Sequence, residues 1–309
     1  MLALVNTPGG NAPVELREVA EPQPAPDEAV LAIHAFSLNR GELTLMRIRP
    51  EGWRPGQDVA GIVVRAAANG AGPKAGTRVV ALIDGTGWAE RAAAPVHRIA
   101  PLPDTVSFAA AAALPVAGIT ALRTLRYGAP LLGKRVLVTG AAGGVGNLAV
   151  QLAARSGAEV TAVVGNAARA KAAAALGAAA IVEGIETAHG LFALVLESVG
   201  GASLAEALKH LEPKGTIVIF GNSSGEPTSL SFRDFGEHNN ARIQSFHSFT
   251  SGPEEQFAPD LALLVAQVAS GALKPQVGSE RSWRELPTVA AALRDRRVDG
   301  KAIFRVAGA

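Results

Sequence analysis

The stretch RVLVTGAAGGVGNLAVQLAARSGAEVTAVVG, residues 135–165, decides the fold of this chain. It opens with an apolar run, passes through glycines at positions 140, 143 and 146, and continues as an amphipathic run. This order predicts a strand, a tight glycine turn and a helix whose N-terminal N–H groups face an anion such as a pyrophosphate. A second apolar run, EVTAVV (159–164), completes a dinucleotide-binding βαβ unit. The alternative is a glycine-rich turn that only packs.

The end of the second predicted strand bears on which dinucleotide binds. An NAD-specific site places an Asp or Glu here to bind the ribose 2′-OH. The chain instead has Gly165 and Asn166, followed by Arg169 and Lys171. Two cations and no acid favour a 2′-phosphate, so we predict NADPH as the cofactor. The predicted contacts in this region and in the glycine loop are Gly140, Ala142, Gly143, Gly144, Val145, Gly165, Asn166 and Arg169.

Short apolar runs and helical stretches alternate from Gly133 onward. This alternation predicts a doubly wound parallel sheet of the Rossmann type. The predicted strands are 135–139, 159–164, 179–182, 192–198, 216–220 and 242–246, and the predicted helices are 145–156, 167–176 and 203–211. Two more helices, 258–271 and 286–295, and a last strand, 301–306, follow.

The first third of the chain is β-rich. The segments 29–38, 59–67 and 78–83 combine apolar and β-branched residues, and turn clusters such as NGAGPKAG separate them. This pattern is typical of GroES-like β-barrels and also fits other small barrels. Ser107 is the predicted N-cap of the alanine-rich run that follows.

Composition narrows the class of protein. The 309 residues are 48% hydrophobic and 18% charged, which suits a soluble globular chain of two domains. The net charge is only +2. The nearest basic cluster, Arg294, Arg296 and Arg297, is interrupted by Asp295, so we expect no nucleic-acid partner.

The chain contains no cysteine, which excludes disulfides, thiolate nucleophiles, iron–sulfur clusters and Cys-ligated zinc. The absence of cysteine also fits a protein of a reducing compartment. The N-terminus lacks the pattern of a signal peptide. The longest apolar stretch, 108–122, is too short for a membrane span and contains Pro115. We therefore expect a soluble, cytoplasmic protein without a membrane partner.

Distinctive sequence blocks occur along the whole chain. They are EPQPAPDEAVLAIHAFSLNRGEL (21–43), PGQDVAGIVV (55–64), AAAALPVAGITALRTL (110–125), VLVTGAAGGVGNLAVQLA (136–153), LESVGGASLAEALKHLEPKGTIVIFG (196–221) and DGKAIFRV (299–306). With these blocks the chain resembles the medium-chain dehydrogenase/reductase superfamily, specifically its zinc-free quinone oxidoreductase, or ζ-crystallin-like, branch. The resemblance implies a GroES-like catalytic domain at 1–122, completed by 265–309, and a Rossmann NADP-binding domain at 123–264.

The resemblance also bears on metal binding. Zinc-using relatives have a Cys-His-x-Asp-like segment where residues 39–42 read Asn-Arg-Gly-Glu, and Gly-His-Glu where residues 56–58 read Gly-Gln-Asp. Neither the Cys nor the His is present here. The six histidines are scattered, with no pair at the i, i+4 spacing of helical ligands. We therefore expect no metal.

Without a Lewis acid, simple alcohol oxidation is disfavoured, whereas a quinone or enone accepts hydride at carbon because conjugation spreads the negative charge. The resemblance thus implies an NADPH-dependent reductase of a small-molecule electron acceptor, either a quinone or an activated double bond. Two alternatives stay open. One is a polyketide-type reductase of enoyl thioesters, and the other is a non-catalytic NADPH-binding protein of the lens or sensor type.

Three residues are catalytic candidates by resemblance. Asn39 matches an active-site Asn that holds the nicotinamide ribose or the substrate oxygen; its alternative is to satisfy loop backbone. Thr120 matches a Thr beside the nicotinamide, and its alternative is a bond to its own helix. Thr44 stands where better-matched members have a Tyr, so the proton donor is open. Water is one candidate, and the others are Arg40, Glu42, Arg47 and Trp53.

Further predicted contacts follow the later strands. By resemblance, Ser198, Val199, Gly221 and Asn222 line the adenosine and the nicotinamide ribose. Phe246 and His247 lie near the nicotinamide, although His247 is equally well explained as structural.

The segment 242–246 is the predicted edge strand of the nucleotide-binding sheet. An edge strand leaves backbone groups unpaired, so we predict that two copies of the chain pair there as a homodimer.

Overall fold

A computed structural model describes residues 1–10, 12–166, 170–248 and 255–306, with the side chains of all of these except 171 and 172. The chain divides into two compact units. One unit comprises Met1–Ile119 and Ser251–Ala309, and the other comprises Thr120–Thr250.

The first unit begins with a β-hairpin and continues into the strands of a larger sheet. Its elements up to the second unit are β1 (Leu2–Asn6), β2 (Val14–Glu18), β3 (Glu28–Leu38), α1 (Arg40–Ile48), β4 (Asp58–Arg65), β5 (Arg78–Leu82), β6 (Arg91–Pro95), β7 (Ile99–Pro101) and α2 (Phe108–Ala112). The next helix, α3 (Pro115–Arg126), begins in the first unit and continues into the second at Thr120. The predicted N-cap is confirmed, because the Ser107 hydroxyl accepts a hydrogen bond from Ala110 N at 3.1 Å. Sequence analysis missed the hairpin, α1, β6 and β7, which are short or lack a clear apolar period.

The second unit is a six-stranded, entirely parallel sheet with helices between its strands. Its elements are β8 (Arg135–Val138), α4 (Gly144–Arg155), β9 (Glu159–Val164), α5 (Ala170–Ala174), β10 (Ala180–Glu183), β11 (Phe192–Glu197), α6 (Gly201–Lys209), β12 (Leu211–Ile219) and β13 (Arg242–Ser245). The strand order is β10-β9-β8-β11-β12-β13. This is the predicted doubly wound sheet, and β13 is its edge.

The core of the second unit explains why its strands are near-continuous apolar runs. In a parallel sheet covered by helices both faces are buried, so alternation disappears. Leu137, Val195 and Ile217, from three neighbouring strands, are all fully buried. β12 starts five residues before the predicted strand, across Lys214, whose φ of +67° marks an irregular start.

The chain then returns to the first unit. The returning elements are α7 (Ala258–Ala269), β14 (Val277–Ser282), α8 (Leu286–Arg294) and β15 (Lys301–Arg305). These unit limits differ from the predicted domain limits, most at the return, which was placed at residue 265. The whole of α7 belongs to the first unit, because Phe257 N at its start donates to His97 O at 3.1 Å.

The last strands complete the seven-stranded sheet of the first unit, in the order β14-β15-β3-β4-β5-β7 with β6 beside β3. β15 pairs antiparallel with β3, which places Phe304 opposite Phe36. Phe36 also stacks with Phe304 and with Trp88, at ring-centroid distances of 5.4 and 5.6 Å. The core of this unit therefore contains residues from both the N-terminal and the C-terminal parts of the chain. β14 was not predicted, since its sequence VGSERS is polar and only its pairing with β15 makes it a strand.

No helix in the described part of the chain is both long enough and apolar enough to span a membrane.

Candidate active site

The carboxyl edge of the parallel sheet collects most of the predicted cofactor contacts. The chain runs outward from β8 through β9 to β10, then returns to the other side of β8 with β11. This reversal is the switch point at which ligands bind in open α/β sheets. Because all six strands are parallel, the segments that follow β8, β9, β11, β12 and β13 share one edge. These segments contain the predicted residues Gly140, Ala142, Gly143, Gly144, Val145, Gly165, Asn166, Ser198, Val199, Gly221, Asn222, Phe246 and His247.

The glycine loop needs glycine at two positions. Gly140 has φ +60°, in the left-handed region that favours glycine. At Gly146, a Cβ atom would lie 2.3 Å from Gly140 O and 2.7 Å from Ala141 Cα, so α4 could not approach the loop with any larger residue. Gly143 donates its N–H to Gly140 O at 2.9 Å and caps α4. The loop is therefore a closed turn against the helix N-terminus.

The N-terminus of α4 is suited to an anion. The first helical N–H groups, of Gly144, Val145 and Gly146, have no carbonyl partner four residues earlier within the helix. The Gly143 cap has no side chain to cover them, and the first turn contains no acidic residue. Backbone donors and the helix dipole together favour a phosphate group here.

A buried carboxylate, Glu197, organises the neighbouring loop. It is fully buried at the end of β11 and accepts hydrogen bonds from Val199 N (3.0 Å), Gly200 N (2.9 Å) and Ser203 Oγ (2.9 Å). These bonds fix the turn that carries Ser198 and Val199. Sequence analysis missed Glu197, although an acid that ends an apolar strand before two glycines is a recognisable pattern.

Hydrogen bonds tie the loops on both sides of the switch point together. Ser198 N donates to Thr139 Oγ1 at 2.9 Å, which links the ends of β11 and β8. Ser223 N donates to Ser198 O at 3.0 Å, which adds the loop of Gly221 and Asn222. The predicted residues Ser198, Val199, Gly221 and Asn222 are thus part of one connected surface.

The remaining predicted contacts vary in exposure. Gly165 and Asn166 are exposed after β9, and a Cβ at Gly165 would meet nothing within 4 Å. Phe246 is half-buried and His247 is exposed after β13. Arg169 lies outside the described residues, so its predicted contact stays a prediction.

Asn39 lies in the first unit, within a cluster that sequence analysis did not foresee. It is the half-buried N-cap of α1. Its amide Nδ2 donates to Asp58 Oδ2 at 2.9 Å and to Glu42 Oε2 at 3.3 Å, and its Oδ1 accepts from Lys301 Nζ at 2.5 Å. Both ends of the amide therefore already have protein partners.

Asp58 is the most connected member of this polar cluster, which comprises Asn39, Glu42, Asp58 and Lys301. It is fully buried and accepts from Ser37 Oγ (2.5 Å), Val116 N (2.8 Å) and Lys301 Nζ (2.9 Å). A buried carboxylate is tolerated when paired and hydrogen-bonded in this way.

Glu42 adds a second buried acid to the cluster. Its carboxylate accepts from Asn39 N at 2.8 Å and from Gln57 N at 3.1 Å. Burial and, next, the charge of Asp58 raise the pKa of Glu42. The Asn39 N–H, the Lys301 ammonium and the Gln57 N–H lower it, and together these effects leave the pKa at about 8.

The other two catalytic candidates differ in burial. Thr44 is exposed on α1. Thr120 is buried in α3, belongs to the second unit, and its carbonyl accepts from Thr124 Oγ1 at 2.7 Å. Of the three catalytic candidates, only Asn39 is connected to buried charged groups by hydrogen bonds given above.

Comparison with known proteins places the chain in a family. Over 293 residues it is 30% identical to a quinone oxidoreductase of Mus musculus, an alignment that covers 88% of this chain and 87% of the mouse protein. The chain belongs to the quinone oxidoreductase family. This confirms the predicted membership of the medium-chain dehydrogenase/reductase superfamily. A family model described as zinc-binding dehydrogenase also matches residues 144–266.

Two other relatives match over less of their own length. A chloroplast envelope quinone oxidoreductase homolog of Arabidopsis thaliana is 42% identical over 173 residues, which are 51% of this chain and 53% of the plant protein. The spectinabilin polyketide synthase system protein NorB of Streptomyces orinoci is 33% identical over 294 residues, which are 91% of this chain and 13% of that protein. The aligned region thus spans about half the length of the first and a small part of the second.

Solved structures have the same fold. Escherichia coli quinone oxidoreductase complexed with NADPH has a TM-score of 0.88 at 23% identity and covers 99% of this chain and 100% of its own. Pseudomonas syringae pv. Tomato quinone oxidoreductase has a TM-score of 0.87 at 25% identity, with 98% and 99% covered. The CurK enoyl reductase has a TM-score of 0.86 at 21% identity, with 99% of each chain covered. These likenesses confirm the predicted class of a GroES-like domain with a Rossmann domain.

The description of the family model raises the question of a zinc ion, and the residues of this quinone oxidoreductase family member do not fit one. In the described part of the chain, no three His, Cys, Asp or Glu side chains lie together as metal ligands. At residues 39–42 and 56–58, the carboxylate of Asp58 and the amide of Asn39 instead bind the ammonium of Lys301. In the first unit, the cation at these positions is therefore the ammonium of Lys301.

The pKa of Glu42 predicts how stability depends on pH. An acid whose pKa rises from 4.5 to about 8 on folding binds more protons in the folded chain between these pH values. Its contribution to stability is complete below pH 4.5 and is lost as pH rises to about 8. We expect the free energy of unfolding, from urea denaturation, to fall more steeply over this range in the wild type than in Glu42→Gln, by up to roughly 1 kcal/mol per pH unit.

The matched control for this measurement is Glu51→Gln, whose side chain is 68% exposed. It should keep the pH profile of the wild type. Parallel profiles for the wild type and Glu42→Gln would contradict the assignment of this pH dependence to Glu42.

Proposed function

We propose that the chain is an NADPH-dependent reductase that transfers hydride to a quinone or to an activated double bond of an enone or enoyl compound. The observation that carries the proposal is the glycine loop at the switch point of the parallel sheet. Gly140 and Gly146 shape that loop, and α4 presents its N-terminal N–H groups beside it. Membership of the quinone oxidoreductase family supports the choice of acceptor.

NADPH fits the residues at this edge better than NADH. The described residues that follow β9, Gly165 and Asn166, contain no acid to bind a ribose 2′-OH. The sequence continues with Arg169 and Lys171, which suit a 2′-phosphate. The similar Escherichia coli quinone oxidoreductase is complexed with NADPH. We assign the pyrophosphate to the N-terminus of α4, and the adenosine and ribose to Ser198, Val199, Gly221 and Asn222.

The hydrogen bonds of Asn39 within the protein limit which group of a ligand it can bind. An amide NH₂ has two donors, and those of Asn39 already bind Asp58 and Glu42. The amide oxygen has two lone pairs, of which Lys301 occupies one. The capping box of α1 also directs the Asn39 side chain at the backbone N–H of Glu42. With its NH₂ donors in use, Asn39 can offer a ligand only its oxygen as an acceptor, which suits a ribose hydroxyl and not the oxygen of a substrate. We propose that Asn39 binds the nicotinamide ribose.

The reaction needs little from the protein besides position. When bound, NADPH supplies the hydride, and conjugation in a quinone or enone disperses the charge that the hydride brings. Thr44 is exposed on α1 and has no aromatic hydroxyl to donate, so we propose that solvent supplies the proton. Thr120 stays a proposed neighbour of the nicotinamide.

A reductase of enoyl thioesters is the second candidate function. Its support is the match to a polyketide synthase over 91% of this chain and the shared fold of an enoyl reductase. The third candidate, NADPH binding without turnover, is supported by the absence of the family's Tyr at Thr44.

An acceptor panel tests the proposed function. Oxidation of NADPH, followed by its absorbance, should be fast with quinones or enones, and enoyl thioesters should be poorer acceptors. Full activity should survive chelation, since the mechanism uses no metal. Turnover of enoyl thioesters alone would establish the second candidate, and tight NADPH binding without turnover of any acceptor would establish the third.

Arg169→Ala tests the choice of cofactor. A charge-assisted hydrogen bond to the 2′-phosphate is worth ~1.5–3 kcal/mol, so its loss should weaken NADPH binding by roughly one to two orders of magnitude. NADH lacks this phosphate, and its affinity should stay the same. Fluorescence titration measures both, with Arg155→Ala as the control because Arg155 is an exposed cation at the end of α4. Equal weakening of both cofactors would mean that Arg169 does not bind the phosphate.

We also propose a homodimer formed by two β13 strands. β13 is at the edge of its sheet, and three of its four residues are exposed. Phe246 N points inward to Ile219 O, so the alternation of a strand directs Ser245 N outward. Light scattering at micromolar concentration should give a dimer mass for the wild type and for Ser245→Ala, and a monomer mass for Ser245→Pro, which lacks this N–H. A monomeric wild type would contradict the proposal.

A further inference from the structure

Lys301 is a buried cation that the proposed function has not yet used. Its side chain is 6% exposed, and its ammonium donates to Asn39 Oδ1 at 2.5 Å and to Asp58 Oδ2 at 2.9 Å. An ammonium donates hydrogen bonds and cannot accept them, so both partners of Lys301 act as acceptors. Asn39 and Asp58 therefore both lie next to the positive charge of a residue of β15.

The position of Lys301 is set by the backbone around it. Lys301 N donates to Gln276 O at 2.8 Å, and Gly300 before it has φ +72°. The pairing of β15 with β3 places Ala302 opposite Leu38, the residue before Asn39. Lys301 is therefore held beside Asn39 by the sheet itself and not by a flexible loop.

The charges of Asp58 and Lys301 act on opposite ends of the Asn39 amide. Asp58 accepts from Nδ2 at 2.9 Å, and Lys301 donates to Oδ1 at 2.5 Å. Because the two ends of an amide differ in chemistry, this arrangement allows one orientation of the amide and disfavours the flipped one. Without the ammonium, Asn39 Oδ1 would lose the donor that distinguishes it from Nδ2, and the preference for this orientation would weaken.

We propose that Lys301 is a positioning residue, whose ammonium fixes the Asn39 amide so that its oxygen, and not its NH₂, faces a hydroxyl of the nicotinamide ribose. This inference rests on the proposed function for its ligand, and on the described contacts for the fixed amide. A merely structural role would be different: Lys301 would then only balance the charge of Asp58.

A double-mutant cycle of Lys301→Met, Asp58→Asn and the double variant separates the two roles. Lys301→Met alone leaves Asp58 unpaired and should lower the melting temperature. The double variant Lys301→Met/Asp58→Asn removes both charges and should recover most of that loss. The double variant should nevertheless have a kcat/KM for NADPH about tenfold below that of Asp58→Asn, which keeps Lys301. This is the effect of one lost hydrogen bond, and the KM for the acceptor should be unchanged. The matched control is Arg305→Met on the same strand, whose side chain is 69% exposed and pairs with Glu280 at 3.5 Å.

A second measurement does not depend on turnover. The side-chain NH₂ of Asn39, assigned by its absence in Asn39→Ala, should exchange slowly with solvent in ¹⁵N-labelled wild-type protein. It should exchange more rapidly in the double variant than in Asp58→Asn, because only the double variant lacks Lys301. If the wild type reduces no acceptor, the proposed function fails while this exchange result still supports the fixed amide. A double variant with the same exchange rate as Asp58→Asn, or with the same kcat/KM for NADPH, would overturn the positioning role of Lys301.

Discussion

The antiparallel pairing of β15 with β3 is the interaction on which the first unit depends. It stacks Phe304 on Phe36 in the core and brings Lys301 to Asn39 and Asp58. The apolar pair excludes water, and a low-dielectric surrounding strengthens the charged hydrogen bonds next to it. The same pairing thus closes the core and builds the polar cluster, so neither is independent of the other.

The second unit depends on close backbone approach. Gly146 lets α4 pack directly against Gly140 and Ala141, which sets the direction in which the helix N-terminus points. On the other side of the switch point, Glu197 holds the turn of Ser198 and Val199 by accepting from backbone N–H groups. One loop is therefore shaped by the absence of side chains and the other by a buried carboxylate. Both solutions keep the edge of the sheet rigid before any ligand arrives, which lowers the entropic cost of binding.

The polar cluster shows how a site can do without a metal. The position at which zinc-using relatives have ligands contains Asn39, Glu42 and Asp58, with an ammonium in place of an ion. An ammonium orients hydrogen-bond acceptors, but it has no vacant coordination site to polarise a carbonyl as a zinc ion would. The electron-poor acceptor proposed for this chain needs no such polarisation.

The sequence alone determined those features that depend on residues close together in the chain. The glycine spacing at 140–146 and the alternation of strands and helices predicted the parallel sheet, its edge strand and most of the loop residues at its carboxyl edge, because backbone conformation follows from neighbouring residues. The catalytic candidates came from the resemblance to a known family. Asn39 was one of them, but the residues that form hydrogen bonds with it were not predicted. Only the tertiary structure decided those partners: Lys301 is 262 positions away from Asn39, and Asp58 is 19 positions away. Polar β14 became a strand only through its neighbour. Local pattern specifies which segments form elements, whereas the buried charges that meet at a site depend on how those elements pair.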